Sequence, residues 1–358
     1  MRALSGHRLF SVGDTSYIWE DMVLAAYLWG DWVALRRRAG AGLACLRRLD
    51  DLGAEDGLDE DEVEAAAAEF RYERDLIAAE DMEAWLDERG LTADGWLEYI
   101  RRSLLVEQWA ADLEEIQQEY PVGDDEVDEV IVCEAICGGH AAALASRLAA
   151  RAAVYARTVD EAPDRRDGVP ADEVKRILAA LPADVHERGL PELTPEACRA
   201  RLEPLARIEA VWQRFAASLV TPPAIRAQLA VHQLDWIRLS VRSLSLRDPD
   251  AAREVALCVR EDGRDLAEVA TEVGADLGEA EWYLDEVDAS LRDHLVGAQG
   301  GDFLGPLPLD EGYVLVSVIA KQLPSEEDPN VRARAERALL ARAVNREVGK
   351  RVRWHESL

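Results

Sequence analysis

The chain is short of lysine. Only Lys175, Lys321 and Lys350 stand among its 41 basic residues, the rest being arginine. Alongside abundant Ala, Asp and Glu, this resembles in part a GC-rich codon bias, so the arginine count by itself says little about function. Positive charge as a whole is scarce: 71 Asp+Glu against 41 Lys+Arg leave a formal charge of −30. That balance excludes a generic nucleic-acid binder, which needs a basic footprint to displace counterions. It also argues against electrostatic adsorption to an anionic membrane. Long hydrophobic runs are missing. With no 18-residue apolar stretch, no bilayer-spanning helix is expected, and Met1–Ser16 lacks the apolar core and small-residue cleavage site of a secretory signal. Cysteine is sparse and odd in number (Cys45, Cys133, Cys137, Cys198, Cys258). That pattern suits reduced thiols rather than a disulfide framework, and a cytoplasmic location is expected. The six histidines are isolated from one another. No Ser/His/Asp signature, Gly-rich phosphate loop or His-Glu-x-x-His occurs, and no cofactor is expected.

What is present is enough for a packed core. Hydrophobic residues make up 49% and charged residues 31%, a composition unlike that of a disordered chain. Apolar residues at helical spacing (Ile18, Met22, Ala25, Ala26, Leu28, Trp29, Trp32, Leu35) predict a helix over 17–49. Asp59–Glu62 suits a helix's first turn, where carboxylates complement the dipole. Helices follow over 61–80 and 81–90. Gly90 is a stop and Thr92 an N-cap for a helix over 93–120, and a further Ala-rich helix spans 125–158. Residues 159–170 form the best linker candidate. Helices resume at 171–181, 195–218 and 222–234, with Thr194-Pro195 and Thr221-Pro222 as cap-proline starts. After Trp236 the texture changes. Ile237–Leu246 alternates as a half-buried strand. Asp248-Pro249 starts a helix to about Glu261, Leu266–Val273 is a short helix, and Glu281–Leu295 is helical or mixed. Gly312–Lys321 is a strand rich in β-branched residues, and Asn330–Val348 is a final helix. The expected fold is mainly α with a small α+β domain, a helical N-terminal cradle and a C-terminal helix. The expected divisions are 1–158, linker 159–170, 171–235, 236–324 and 325–358.

Cys133-Glu134-Ala135-Ile136-Cys137-Gly138-Gly139-His140 is the sharpest chemical-looking cluster. If one helix continues through it, Cys133, Cys137 and His140 share a face, the arrangement of a zinc or thiol site. Buried cysteines packing as small hydrophobes are the other reading. Trp29, Trp32, Trp85, Trp96 and Trp109 fall on apolar helix faces, as core or as a peptide cradle. Residues 331–353 carry eight Arg+Lys against two Glu. This basic helix is a solvated face or docks against an acidic surface.

Residues 236–324 resemble the parvulin-type peptidyl-prolyl isomerase domain. The resemblance rests on the Ile237–Leu246 strand and the helix carrying Ala252. It also rests on Gly263–Ala270 against the family's Gly-x-x-Phe-x-x-Leu-Ala, on Leu291–Pro306, and on Gly312-Tyr313 opening the last strand. Phe70–Glu115, with the Gly90–Trp96 step, resembles the helical segments of SurA/PrsA-like foldases, as does the terminal helix. The whole most resembles cytosolic parvulin-related peptide-maturation proteins. The resemblance places the family's two histidines at Ser243 and Val314, so both are replaced, and it shortens the Cys/Asp-bearing strand to Thr271–Trp282. X-Pro rotation faces a barrier of roughly 18–20 kcal/mol, and lowering it needs groups that favour the twisted amide.

The resemblance therefore implies a peptide-binding accessory or chaperone without isomerase activity. It would hold an unfolded or precursor peptide, with a modifying enzyme as a further partner. Ser243, Tyr283, Phe303, Tyr313 and Val314 are the groove candidates. The alternatives are an active isomerase, or a thiol- or metal-dependent peptide-modifying enzyme built on Cys133, Cys137 and His140. No nucleic-acid or membrane partner is expected.

Overall fold

The computed structural model describes residues 4–52, 58–161, 168–182, 185, 190, 193–309 and 312–355. The chain divides into two compact units, Met1–Ala216 with Ala343–Leu358, and Ala217–Arg342. It is mainly α, as expected, with two small antiparallel sheets, of which the sequence predicts only the one in the second unit.

The first unit opens on a hairpin, β1 (Arg8–Val12) and β2 (Thr15–Ile18), where the sequence predicts only the approach to a helix. A terminal strand, β7 (Val352–Trp354), pairs antiparallel with β1 through Phe10↔Trp354. Phe10 stacks on Tyr17 at 4.8 Å and meets Trp354 edge-on at 5.4 Å. The helix predicted over 17–49 is two helices, α1 (Trp19–Trp29) and α2 (Asp31–Leu52). Gly30, at φ +80°, closes the first. All of Trp19–Tyr27 is buried, so α1 is a core helix rather than an amphipathic surface one.

Helices α3 (Glu60–Glu73) and α4 (Ala79–Glu88) follow, then α5 (Ala93–Gln108), whose Thr92 cap accepts from Gly95 N at 3.1 Å. The span predicted as one helix to residue 120 breaks at Trp109, and α6 (Leu113–Glu119) continues it. The Ala-rich helix is likewise two, α7 (Asp124–Cys137) and α8 (His140–Glu161), bent by 72° at Gly138-Gly139. Among the described residues no single helix is long and apolar enough to cross a membrane. Of the linker candidate, 159–161 end α8 and 168–170 precede α9 (Ala171–Ala179), while 162–167 lie outside the described residues. α10 (Pro195–Leu219) starts on Thr194, whose hydroxyl accepts from Ala197 N.

In the second unit, α11 (Pro222–Val231) precedes a four-stranded antiparallel sheet ordered β4-β3-β6-β5. Its strands are β3 (Arg238–Leu246), β4 (Leu277–Tyr283), β5 (Phe303–Leu309) and β6 (Gly312–Gln322). The span read as helical or mixed resolves into the end of β4 and a helix, α14 (Ala289–Gly297). That helix covers one sheet face through Leu291 and Leu295, against Leu239, Val241, Val316 and Val318. Helices α12 (Pro249–Arg260) and α13 (Leu266–Val273) cover the other face through Val255, Leu266 and Val269, against Leu244 and Leu315. Period-two alternation along β6 sends successive side chains to these two cores. The last helix, α15 (Pro329–Arg351), contributes Val331 and Ala335 to a small core of this unit. Val344 and Val348 of the same helix belong to a core of the first unit.

Candidate functional site

Cross-strand register decides which candidate residues share a surface, because directly paired residues point to the same face. Ser243 pairs with Val316 on one side and Gly278 on the other, and Val314 pairs with Ser245. Ser243 and Val314 therefore lie on the α14 face, two residues apart in register on adjacent strands. This face at that end carries Ser243, Ser245, Gly278 and Val314, with no titratable side chain among them. Gly278 leaves room: a Cβ there would stand 3.4 Å from the Ser243 hydroxyl. Val314 is buried at 3% exposure, and Ser243 is half-buried.

Phe303 and Tyr313 lie on the opposite face, in the core under α12 and α13. The Arg260 guanidinium sits 5.5 Å from the Phe303 ring centre and donates to the Gly305 carbonyl. Tyr283 belongs to a third cluster with Trp236, Val331 and Ala335. Arg334 caps its ring at 3.8 Å while pairing with Asp285 and Glu286. The structure thus brings Ser243 and Val314 together and holds Phe303, Tyr313 and Tyr283 apart from them.

At the other end of β4, four residues along from the Gly278 that pairs with Ser243, a pocket of about 220 Å³ is bounded by Trp282, Val287, Leu291, Glu281, Glu286 and Asp288. Its floor is apolar and its rim carries three carboxylates. Two of those are held by arginines: Arg238 pairs with Glu281 at 3.2 Å, and Arg334 with Glu286. Strand β4 is one of the two edge strands of the sheet, and Gly278–Glu281 are all exposed. The sequence signal for this site is faint, because its rim residues are ordinary loop acids.

The helical unit has a larger cavity, about 490 Å³, between α2, α6 and the turn before α7. Val33, Val122 and Val127 line it together with Tyr120, Gln117 and Arg37. Arg36 at its wall is buried and bound to Asp124 and Asp128, which more than offset its burial and raise its pKa. Arg37 is exposed and makes no ion pair among the described residues. No local motif announces this cavity, since its walls come from segments far apart in the chain.

The Cys133–His140 cluster is not the continuous face the spacing predicts. Cys133 and Cys137 stay together, their sulfurs 3.7 Å apart. Cys137 is the last residue of α7, the chain turns at Gly139 (φ +70°), and His140 opens α8 on a new axis. Among the described residues no group of three His, Cys, Asp or Glu is placed to hold a metal ion. Burial and the nearby Arg38 cation press the His140 pKa below its usual value. The basic terminal helix is tied down at its end, where Arg351 pairs with Asp160 of α8 and with Glu347.

The class this geometry defines is a helical protein carrying a small antiparallel sheet sandwiched between helices. No family model matches the chain, and no curated protein matches it. The chain is similar to solved structures of PrsA and SurA-like proteins. The peptidylprolyl isomerase PrsA from Bacillus cereus is 14% identical at a TM-score of 0.35, over 66% of this chain and 83% of that one. PrsA from Bacillus anthracis is 15% identical at a TM-score of 0.26, over 69% and 96%. A SurA-like chaperone from Campylobacter jejuni is 12% identical at a TM-score of 0.22, over 55% and 88%. The chain's own geometry carries the functional reading.

Proposed function

We propose that the chain is a foldase-type chaperone that holds unfolded or precursor peptide and does not rotate prolyl bonds. The observation that carries this is the Ser243 end of the sheet. That surface exposes Ser245 and Gly278, with Ser243 half-buried and Val314 buried beneath, and carries no imidazole, carboxylate or thiol from the strands. Such a surface can accept an extended chain but offers little to stabilise a twisted amide over the planar one. The pocket of about 220 Å³ at the other end of β4, with its Trp282 wall, takes one apolar or basic side chain of the bound segment. The free β4 edge offers backbone groups for strand addition.

A cytoplasmic location and delivery of the held peptide to a modifying enzyme belong to the same proposal. All five cysteines are unpaired thiols, which favours a reducing compartment. The test is light scattering from a chemically unfolded client diluted into buffer with the full chain. Aggregation should be suppressed in proportion to the protein added, and Trp282→Ala should weaken the effect. Aggregation identical to that in the client alone would overturn the reading.

A further inference from the structure

Cys133 and Cys137 have no part in peptide holding, and their surroundings differ from those of the other thiols. Their sulfurs lie 3.7 Å apart on successive turns at the end of α7. They face the small core under α3–α5, with Phe70, Trp85 and Trp96 close by. The Arg102 guanidinium, 2% exposed, stands nearby with no hydrogen-bond acceptor on any of its nitrogens. Its ion pairs to Glu98 and Glu134 are long, at 3.9 and 3.8 Å. Arg74 donates to the Cys137 carbonyl at 3.0 Å. The two thiols are buried and in contact, and a guanidinium close by favours a thiolate there, with Glu98 and Glu134 sharing Arg102 only at long range.

We propose that Cys133 and Cys137 are a reversible redox pair that closes to a disulfide when a hydroperoxide reaches it. Cys133 thiolate attacks the peroxide oxygen. The O–O bond breaks, the distal oxygen leaves as alcohol or water after taking a proton, and Cys133 becomes a sulfenic acid. The Cys137 sulfur then attacks Cys133, the S–O bond breaks, the thiol proton leaves with the hydroxyl as water, and the S–S bond forms. Two thiols lose two electrons and the peroxide gains them.

The direction follows from the local chemistry. The hydrogen bond from Cys137 and the nearby Arg102 hold the Cys133 thiol below its usual pKa. The same hydrogen bond, with burial, pushes Cys137 up. Burial shifts Cys45 and Cys198 the other way, Cys45 to about 11 against the opposing Arg48 cation. Reversibility follows from helix geometry. Residues four apart on a helix have Cβ atoms about 5–6 Å apart, whereas a disulfide wants roughly 3.5–4.5 Å. Closure must therefore loosen the last turn of α7, and a strained bond is the readily reduced kind. Cys137 ends that helix, and Gly138-Gly139 beyond it can absorb the shift. The Arg74 bond to the Cys137 carbonyl, which ties α7 to the end of α3, is the contact this movement breaks.

The experiment exposes the reduced full chain to hydrogen peroxide, alkylates free thiols, and maps peptides by mass. The expected product joins Cys133 to Cys137 with the loss of two hydrogens, is restored by dithiothreitol, and leaves Cys45 and Cys198 alkylated. Tryptophan emission should shift on oxidation and return on reduction. In Cys137→Ser, a dimedone probe should trap Cys133 as the sulfenic acid. Recovery of both thiols intact while the less buried Cys258 oxidises would overturn the proposal. So would oxidation of Cys45 at the same rate as Cys133. If the variant fails to fold, the wild-type peptide map decides alone.

Discussion

Arg102 sets the terms at the scale of single residues. Its side chain is fully buried on α5 and lies against Gly42 of α2, where any Cβ would meet it at 3.0 Å. Glu134 stands opposite, buried enough that its pKa is raised despite Arg102 and Arg38. None of this is readable from residue types, because Arg102 sits among surface-like charges (Glu98, Arg101, Glu107) on an ordinary amphipathic helix. The cysteine spacing was readable, but its extension to His140 was not. Two glycines in succession permit either a continuing helix or a sharp turn, and packing chose the turn. His140 consequently begins α8, where burial and the nearby Arg38 cation disfavour its protonated form. The sign follows directly. A histidine whose folded pKa is depressed adds stability that is complete above its unfolded pKa and is lost as pH falls through the folded one. Denaturant midpoints of the wild type should therefore fall as pH drops below about 6.5, the unperturbed histidine value. His140→Gln should show a shallower decline over the same range. Parallel curves would contradict this assignment.

At the scale of elements, the long-period signals translated well and the short ones did not. The β3 and β6 strands, the caps at Thr92, Thr194 and Thr221, and the helices from Pro249 and Leu266 all stand where alternation, caps and prolines place them. The β1–β2 hairpin was invisible because it has only five and four residues in its strands and gains its stability from β7, at the far end of the chain. Helix breaks at Gly30 and Trp109 carry no such signal, since apolar periodicity persists across them, whereas Gly138-Gly139 leaves both outcomes open. The candidate site was legible in part. Two of its five residues, Ser243 and Val314, share a face. The pattern of β6 alone distinguishes its two faces, but says nothing about which face carries a binding surface. Gly312 opens β6 at φ +135°, and a Cβ there would meet the Leu246 carbonyl oxygen at 2.5 Å. Gly312→Ala should cost about 1–3 kcal/mol in backbone strain before the clash is counted. Chemical denaturation of the full chain should show that loss, and an unchanged midpoint would show that the β3–β6 end pairing does not need glycine.

At the scale of the molecule, the charge of −30 bears on the client. The pocket at the β4 edge has a carboxylate rim around an apolar floor, so an Arg/Lys-rich unfolded peptide should bind more tightly than an Asp/Glu-rich one of equal hydrophobicity. Raising salt toward 1 M, where the Debye length is about 3 Å, should erase most of the difference. Fluorescence anisotropy with the two labelled peptides reads this directly, and equal affinities at low salt would remove charge from the account.

One measurement reads peptide holding and prolyl rotation together. Exchange spectroscopy by NMR on an unfolded Ala-Pro peptide, with and without the full chain, reports binding through line broadening and rotation through cis–trans exchange peaks. Peptide signals should broaden while isomer exchange stays on the uncatalysed scale of tens to hundreds of seconds. Exchange peaks appearing on the sub-second scale in the presence of the chain would contradict the proposed function.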